Sequence, residues 1–119
     1  KMTESLKLNT RIICVKTVRD KNGLPLSSRN SYLSGQEFKI AIKINKLLKK
    51  LPPLIRTKLK INKILNHTKK VLIDHGVDKI DYLTVLNDDL SVRKKISDKS
   101  RIFIAAKIGN TRLIDNIKI

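Results

Sequence analysis

The chain is predicted to fold as α+β, a small antiparallel sheet of about three strands covered by two main helices. Three observations lead there. Apolar residues recur at spacings of three and four along two stretches, one following Ser34 and one starting at Ile61. Short β-branched or apolar runs lie outside them, the clearest at residues 101–108 (RIFIAAKI). Helical and strand-like segments are grouped rather than strictly alternating, which argues against a wound parallel sheet. With 119 residues, 40% hydrophobic and 31% charged, there is room for one domain around one modest core.

Taken in order, residues 1–9 are polar with scattered apolar positions, as at the end of a helix or in a linker. Residues 11–18 (RIICVKTV) are mostly apolar and β-branched and are expected to form a strand, with Cys14 as an inert core residue. Asp20-Lys21-Asn22-Gly23 signals a turn in which Gly23 can take a positive φ. Residues 24–34 (LPLSSRNSYLS) are expected as a loop, because Pro25 lacks an N–H and the Ser/Asn cluster bonds locally. Ser34 and Glu37 have the S-x-x-E spacing of a capping box. Ile40, Ile44, Leu47 and Leu51 then line one face of a helix expected to end at Leu51-Pro52-Pro53.

A second helix follows the period Ile61, Ile64, Leu65, Thr68, Leu72 and closes at His75-Gly76, with Lys69, Lys70 and His75 complementing its dipole. Residues 81–87 (DYLTVLN) read as a short strand, Asn87-Asp88-Asp89 as a turn, and the polar stretch after it runs to Ser100. In 101–108, Ile102, Ile104, Ala106 and Ile108 face one side while Phe103 and Ala105 face the other. That pattern places the strand centrally in the sheet. Gly109-Asn110 turns the chain into a final short strand over residues 111–116.

The formal net charge is +17, from 27 Lys and Arg against 10 Asp and Glu, which raises nucleic-acid binding as a function. The detail weakens that reading. Twenty of the basic residues are Lys and seven are Arg, and Tyr32, Phe38, Tyr82 and Phe103 do not alternate with them as stacking platforms would. Solvated lysine faces account for most of the excess, while a few placed cations suit an anionic ligand or an acidic partner. The longest apolar run, Ile102 to Ala106, is far below the roughly 20 residues of a membrane span. Residues 1–9 hold no apolar stretch of the leader type, and a lone Cys14 permits neither an intrachain disulfide nor a Cys-based zinc site. A cytoplasmic location is expected, without a membrane partner.

Few residues carry obvious chemistry. The four glycines form no P-loop, and His67 and His75 stand eight apart with no ligand-spaced companion, so they read as surface or cap residues and no metal site is expected. The exception is Gly23-Leu24-Pro25-Leu26-Ser27-Ser28-Arg29-Asn30. Two hydroxyls and a guanidinium on adjacent loop residues can donate several hydrogen bonds to one phosphate chain. A polar surface loop ahead of a helix cap is the other reading of the same residues.

The stretch from Thr17-Val18-Arg19-Asp20 through Gly23 to Asn30, then Ser31-Tyr32-Leu33-Ser34, resembles the pantothenate synthetases (pantoate–β-alanine ligases), which read T-V-R-E/D, two residues, then G-L-A-M-S-S-R-N-x-Y-L. Residues 104–116 (IAAKIGNTRLIDN) are similar to the family's A-A-x-x-G-x-T-R-L-I-D-N terminus, and Asp81-Tyr82-Leu83 to its middle strand. Lys16 stands where the family usually has Pro, and Pro25-Leu26 replace the commoner Ala-Met.

The resemblance implies that residues 11–119 are the C-terminal ATP-closing lid domain, with residues 1–10 a remnant of the interdomain hinge and the Rossmann-like N-terminal domain absent. It implies an AMP-forming ligase that joins pantoate to β-alanine through a pantoyl adenylate, uses ATP with Mg2+ on the triphosphate, and is a homodimer when complete. It implies that Ser27, Ser28 and Arg29 grip the phosphates as catalytic residues. Val18 would contact the adenine through its backbone, and Leu26 would pack near the nucleoside. Arg112, Asp115 and Asn116 are read as structural, a terminal strand fixed by an Arg–carboxylate contact. This fragment alone is expected to be inactive. The competing readings are a small basic nucleic-acid-binding module and a non-catalytic interaction domain.

Overall fold

The computed structural model describes residues 2–57, 60–87, 96–97 and 99–119. The elements are α1 (Met2–Ser5), a 3-10 helix η1 (Ser28–Tyr32), α2 (Gly35–Arg56), α3 (Ile61–Asp74), β1 (Lys79–Leu86), β2 (Arg101–Ile108) and β3 (Thr111–Lys118). The three strands form one antiparallel sheet in the order β1-β2-β3, so the strand with apolar residues on both faces is the central one. Ile102, Ile104, Ala106 and Ile108 join the core beneath α2 and α3, and Ala105 on the opposite face is also fully buried. The expected α+β architecture is therefore the observed one.

The start of α2 follows from two residues. Ser34 Oγ accepts from Glu37 N–H at 3.3 Å, and Glu37 Oε2 accepts from Ser34 N–H at 2.7 Å, so two donors at the helix start are satisfied reciprocally. The hydrogen bonds from Ser34, the backbone N–H above all, hold the Glu37 carboxyl below the usual carboxylate range. From there α2 buries Ala41, Ile44, Asn45, Leu48, Leu51 and Ile55 along one stripe. It does not stop at the prolines as expected: Pro52 and Pro53 lie inside the helix, which runs to Arg56. The reason is packing. Leu51 and Ile55 bracket the prolines and are both buried. Burial of each contributes about 1.5–3 kcal/mol, which offsets part of the ~3 kcal/mol or more that each interior proline costs. The second helix, α3, ends as anticipated, with Gly76 at φ +97 and His75 Nδ1 against the Val71 carbonyl.

The expected strand over residues 11–18 is not formed. That segment has no regular structure, and Ile12, Ile13, Val15 and Val18 are between 64% and 86% exposed. Cys14 is exposed as well, not a core residue. β-propensity reports how a side chain packs against strand neighbours, and among the described residues this segment pairs with no strand of the sheet. The nearest approach to pairing is a single bridge, Arg19 with Pro25. The expected turn at Asn87-Asp88-Asp89 and most of the polar stretch after it lie outside the described residues.

Candidate functional site

Residues 19–32 form a short hairpin capped by η1, and its root is built first. Asp20 Oδ1 accepts from the N–H groups of Asn22 and Leu24 at 2.8 and 2.9 Å, which folds the turn around Gly23. Gly23 sits at φ +87, where a side chain would be strained, and a Cβ there would come within 2.6 Å of Asn45 Oδ1 on α2. Two backbone bonds then zip the arms together: Asp20 N to Leu24 O at 2.9 Å and Leu26 N to Val18 O at 3.0 Å. Leu24 is the one residue of the turn that enters the core.

Arg19 anchors this hairpin to the rest of the domain. Its Nη1 donates to Asp115 Oδ2 at 2.8 Å and to Gly23 O at 3.0 Å. Its Nη2 donates to Asp115 Oδ1 at 2.8 Å and to Asn116 O at 3.1 Å. The Asp115 side chain is 7% exposed and also accepts from Asn45 Nδ2 at 3.3 Å and from Asn116 N–H at 2.7 Å. Hydrogen bonding to Asp115 raises the Arg19 guanidinium above its already high value, so Arg19 stays cationic at any ordinary pH.

The tip is different. Ser27, Ser28 and Arg29 are all exposed. Ser27 caps η1, its Oγ accepting from Arg29 N–H at 3.2 Å, which leaves its hydroxyl proton free to donate elsewhere. Ser28 lends only its carbonyl, to Ser31 Oγ at 2.7 Å. Among the described residues the Arg29 guanidinium has no carboxylate within ion-pair distance. Asn30 Nδ2 closes the tip onto Pro25 O at 2.9 Å. Leu26 is 62% exposed, and Val18 is exposed with its carbonyl engaged by Leu26.

Beside this loop lies a cavity of about 420 Å³, the size range of small-ligand pockets. Leu26, Ser27 and Arg29 stand on one wall, Ile44 and Asn45 of α2 on another, and Phe103, Ile114 and Asp115 of the sheet on a third. The lining is mostly apolar with a few polar groups. Val18 and Ser28 are near the loop but not in the wall. Among the described residues no three His, Cys, Asp or Glu side chains gather as metal ligands. Asp20 Oδ1 is engaged by the turn, and both Asp115 oxygens are engaged by Arg19. No helix of the described residues is long and apolar enough to cross a membrane.

The family model for pantoate-beta-alanine ligase matches residues 1–118. The chain belongs to the pantoate–β-alanine ligase family. Family members called pantothenate synthetase include one from Endomicrobium trichonymphae, 40% identical over 98% of this chain, and one from Bradyrhizobium sp., 37% identical over 99%. The chain spans 41–42% of the length of those ligases and corresponds to their C-terminal domain. Among solved structures, a Thermus thermophilus pantothenate synthetase superposes with a TM-score of 0.85 at 27% identity, over 98% of this chain and 43% of its own. A Francisella tularensis pantoate–β-alanine ligase, complexed with beta-gamma ATP and beta-alanine, superposes with a TM-score of 0.64 at 30% identity, over 98% of this chain and 36% of its own.

The sequence singles out the donors at the ligase loop's tip but not what holds them. There, Arg19 is only part of a motif, and Asn45 is one more position on α2. Asp115, expected as a structural residue, is the partner of Arg19. Arg112 instead pairs with Asp81 at 2.7 Å near the surface. The signal available is charge in an apolar setting: Arg19 closes an apolar run, and Asp115 interrupts the last strand.

Proposed function

We propose that this chain is the nucleotide-closing domain of a pantothenate synthetase, contributing Ser27, Ser28 and Arg29 to an ATP site completed by an N-terminal Rossmann-like domain. The observation that carries it is the exposed run of two hydroxyls and a guanidinium, without a carboxylate partner among the described residues, on the tip of an anchored loop. The solved Francisella relative that bears beta-gamma ATP and beta-alanine supports the ligand class.

The reaction has two steps. A pantoate carboxylate oxygen bonds to the α-phosphorus of ATP and pyrophosphate leaves. The β-alanine amine then bonds to the acyl carbon, AMP leaves, and the amide forms as the nitrogen loses a proton. Negative charge shifts onto the departing phosphates in the first step, and preplaced donors act most strongly there. Arg29 can hold two phosphate oxygens at once, and the serine hydroxyls add neutral donors beside it. Leu26 would pack near the nucleoside, and Val18 would contact the adenine through its backbone. ATP enters as its magnesium complex, and this loop donates to the phosphates rather than binding the ion.

Residues 1–10 would serve as the hinge about which this domain closes, excluding water from the adenylate. The complete enzyme is proposed to be a cytoplasmic homodimer feeding coenzyme A synthesis, with no nucleic acid as partner. The test is pyrophosphate release by the full-length enzyme. Arg29→Ala should slow adenylation about a hundredfold, the scale of losing one transition-state donor, with an unchanged Tm. Unaltered pyrophosphate release would refute the reading. The 119-residue chain by itself should give no pantothenate, since it forms one wall of the site.

A further inference from the structure

We propose that Arg19 is a positioning residue for the phosphate-gripping loop, acting through Asp115 and Asn45 rather than by touching substrate; this rests on the function proposed above. One planar guanidinium ties together four acceptors: both oxygens of Asp115, the Gly23 carbonyl in the turn and the Asn116 carbonyl in β3. Only two backbone rungs separate this anchor from Leu26, and Ser27 follows directly. A tilt at the root is therefore carried to the tip, where an error of about 1 Å can cost roughly a hundredfold in rate.

Asn45 supplies an independent observation. It is 2% exposed, and its Oδ1 has no hydrogen-bond partner among the described residues. A buried acceptor left unpaired costs about 1–3 kcal/mol. On stability alone, a leucine at that place would serve better. What the asparagine provides is a second hold on Asp115, through Nδ2, and close contact with the Cβ-free face of Gly23. Asn45, Asp115 and Asn116 also border the cavity into which Ser27 and Arg29 look. The anchor and the grip therefore share one site.

The test uses the full-length enzyme, with separate KM values for ATP and pantoate, kcat and Tm, and with Arg29→Ala as reference. Asn45→Leu should lower kcat/KM for ATP three- to tenfold while Tm holds or rises and KM for pantoate stays within twofold. Arg19→Lys keeps the charge beside Asp115 but cannot hold four acceptors in one plane. It should retain most of the Tm and still lower kcat/KM for ATP about tenfold. A purely structural role would lower Tm and leave kcat and KM for ATP alone, and that result in both variants would overturn the inference. If Arg29→Ala itself leaves ATP use unchanged, the function proposed above falls, and this inference with it. If Arg29→Ala impairs ATP use while Arg19→Lys and Asn45→Leu do not, the positioning role alone is refuted.

Discussion

Residues 19–24 and residues 26–32 belong to one hairpin, yet they are held by different means. At the root, the Arg19 guanidinium is bonded to four acceptors, Asp20 folds the turn around itself, and Leu24 is buried in the core. At the tip, Ser27, Ser28 and Arg29 are exposed, and the bonds that shape η1 run mainly through backbone groups and through Asn30. The difference teaches where each kind of substitution should register. Bonds within the protein stabilise the root. At the tip the donors stay available, and on the proposed function their energy is realised against a ligand.

Four measurements press on that contrast. In the full-length enzyme, Arg29→Ala should raise the adenylation barrier by about 2.7 kcal/mol without shifting the unfolding midpoint, and a matching stability loss would show the tip to be structural. Asp115→Ala strips the partner from a partly buried guanidinium and should cost about 2 kcal/mol in urea unfolding, between the values for exposed and buried pairs. A loss under about 1 kcal/mol, the scale of an exposed pair, would erase the distinction between root and tip. Gly23→Ala meets both a positive φ and the Asn45 amide, so roughly 1–2 kcal/mol of destabilisation is expected; full stability would mean that the turn is less constrained than its geometry.

The smallest effect concerns pH. The Glu37 carboxyl titrates below its ordinary value of 4.5 in the folded chain because Ser34 donates to it. Its contribution to stability is present above 4.5 and disappears as pH falls through the lower folded value. Asp81, lowered chiefly by Arg112, acts in the same direction. Glu37→Gln should therefore lower Tm slightly at neutral pH and flatten its fall on acidification below pH 4.5. An acid limb identical to the parent's would remove Glu37 from the account.

Local chemistry is legible in the sequence wherever neighbours in the chain are neighbours in space. The capping box at Ser34 and Glu37, the two-sided strand 101–108, the glycine turn at 23 and the donor-rich loop all rest on spacings of a few residues. Long-range partners are not legible. The segments 11–18 and 101–108 have similar compositions, but only the second has a strand on each side, and alternation along one segment cannot report that. The same holds for Pro52 and Pro53. Their local rule predicts a stop, and it is overridden by where Leu51 and Ile55 land. Arg19 and Asp115 lie 96 positions apart, so no motif window contains both.

That separation sets an order of events during synthesis. Ser27, Ser28 and Arg29 leave the ribosome well before Asp115, the carboxylate that seats their hairpin. Until β3 pairs with β2, the hairpin lacks the Asp115 and Asn116 acceptors that seat Arg19. A nascent chain halted before Asp115 would hold Ser27, Ser28 and Arg29 without that anchor. On the proposed function, the grip on a triphosphate is therefore completed by β3, not by the segment that displays the three donors.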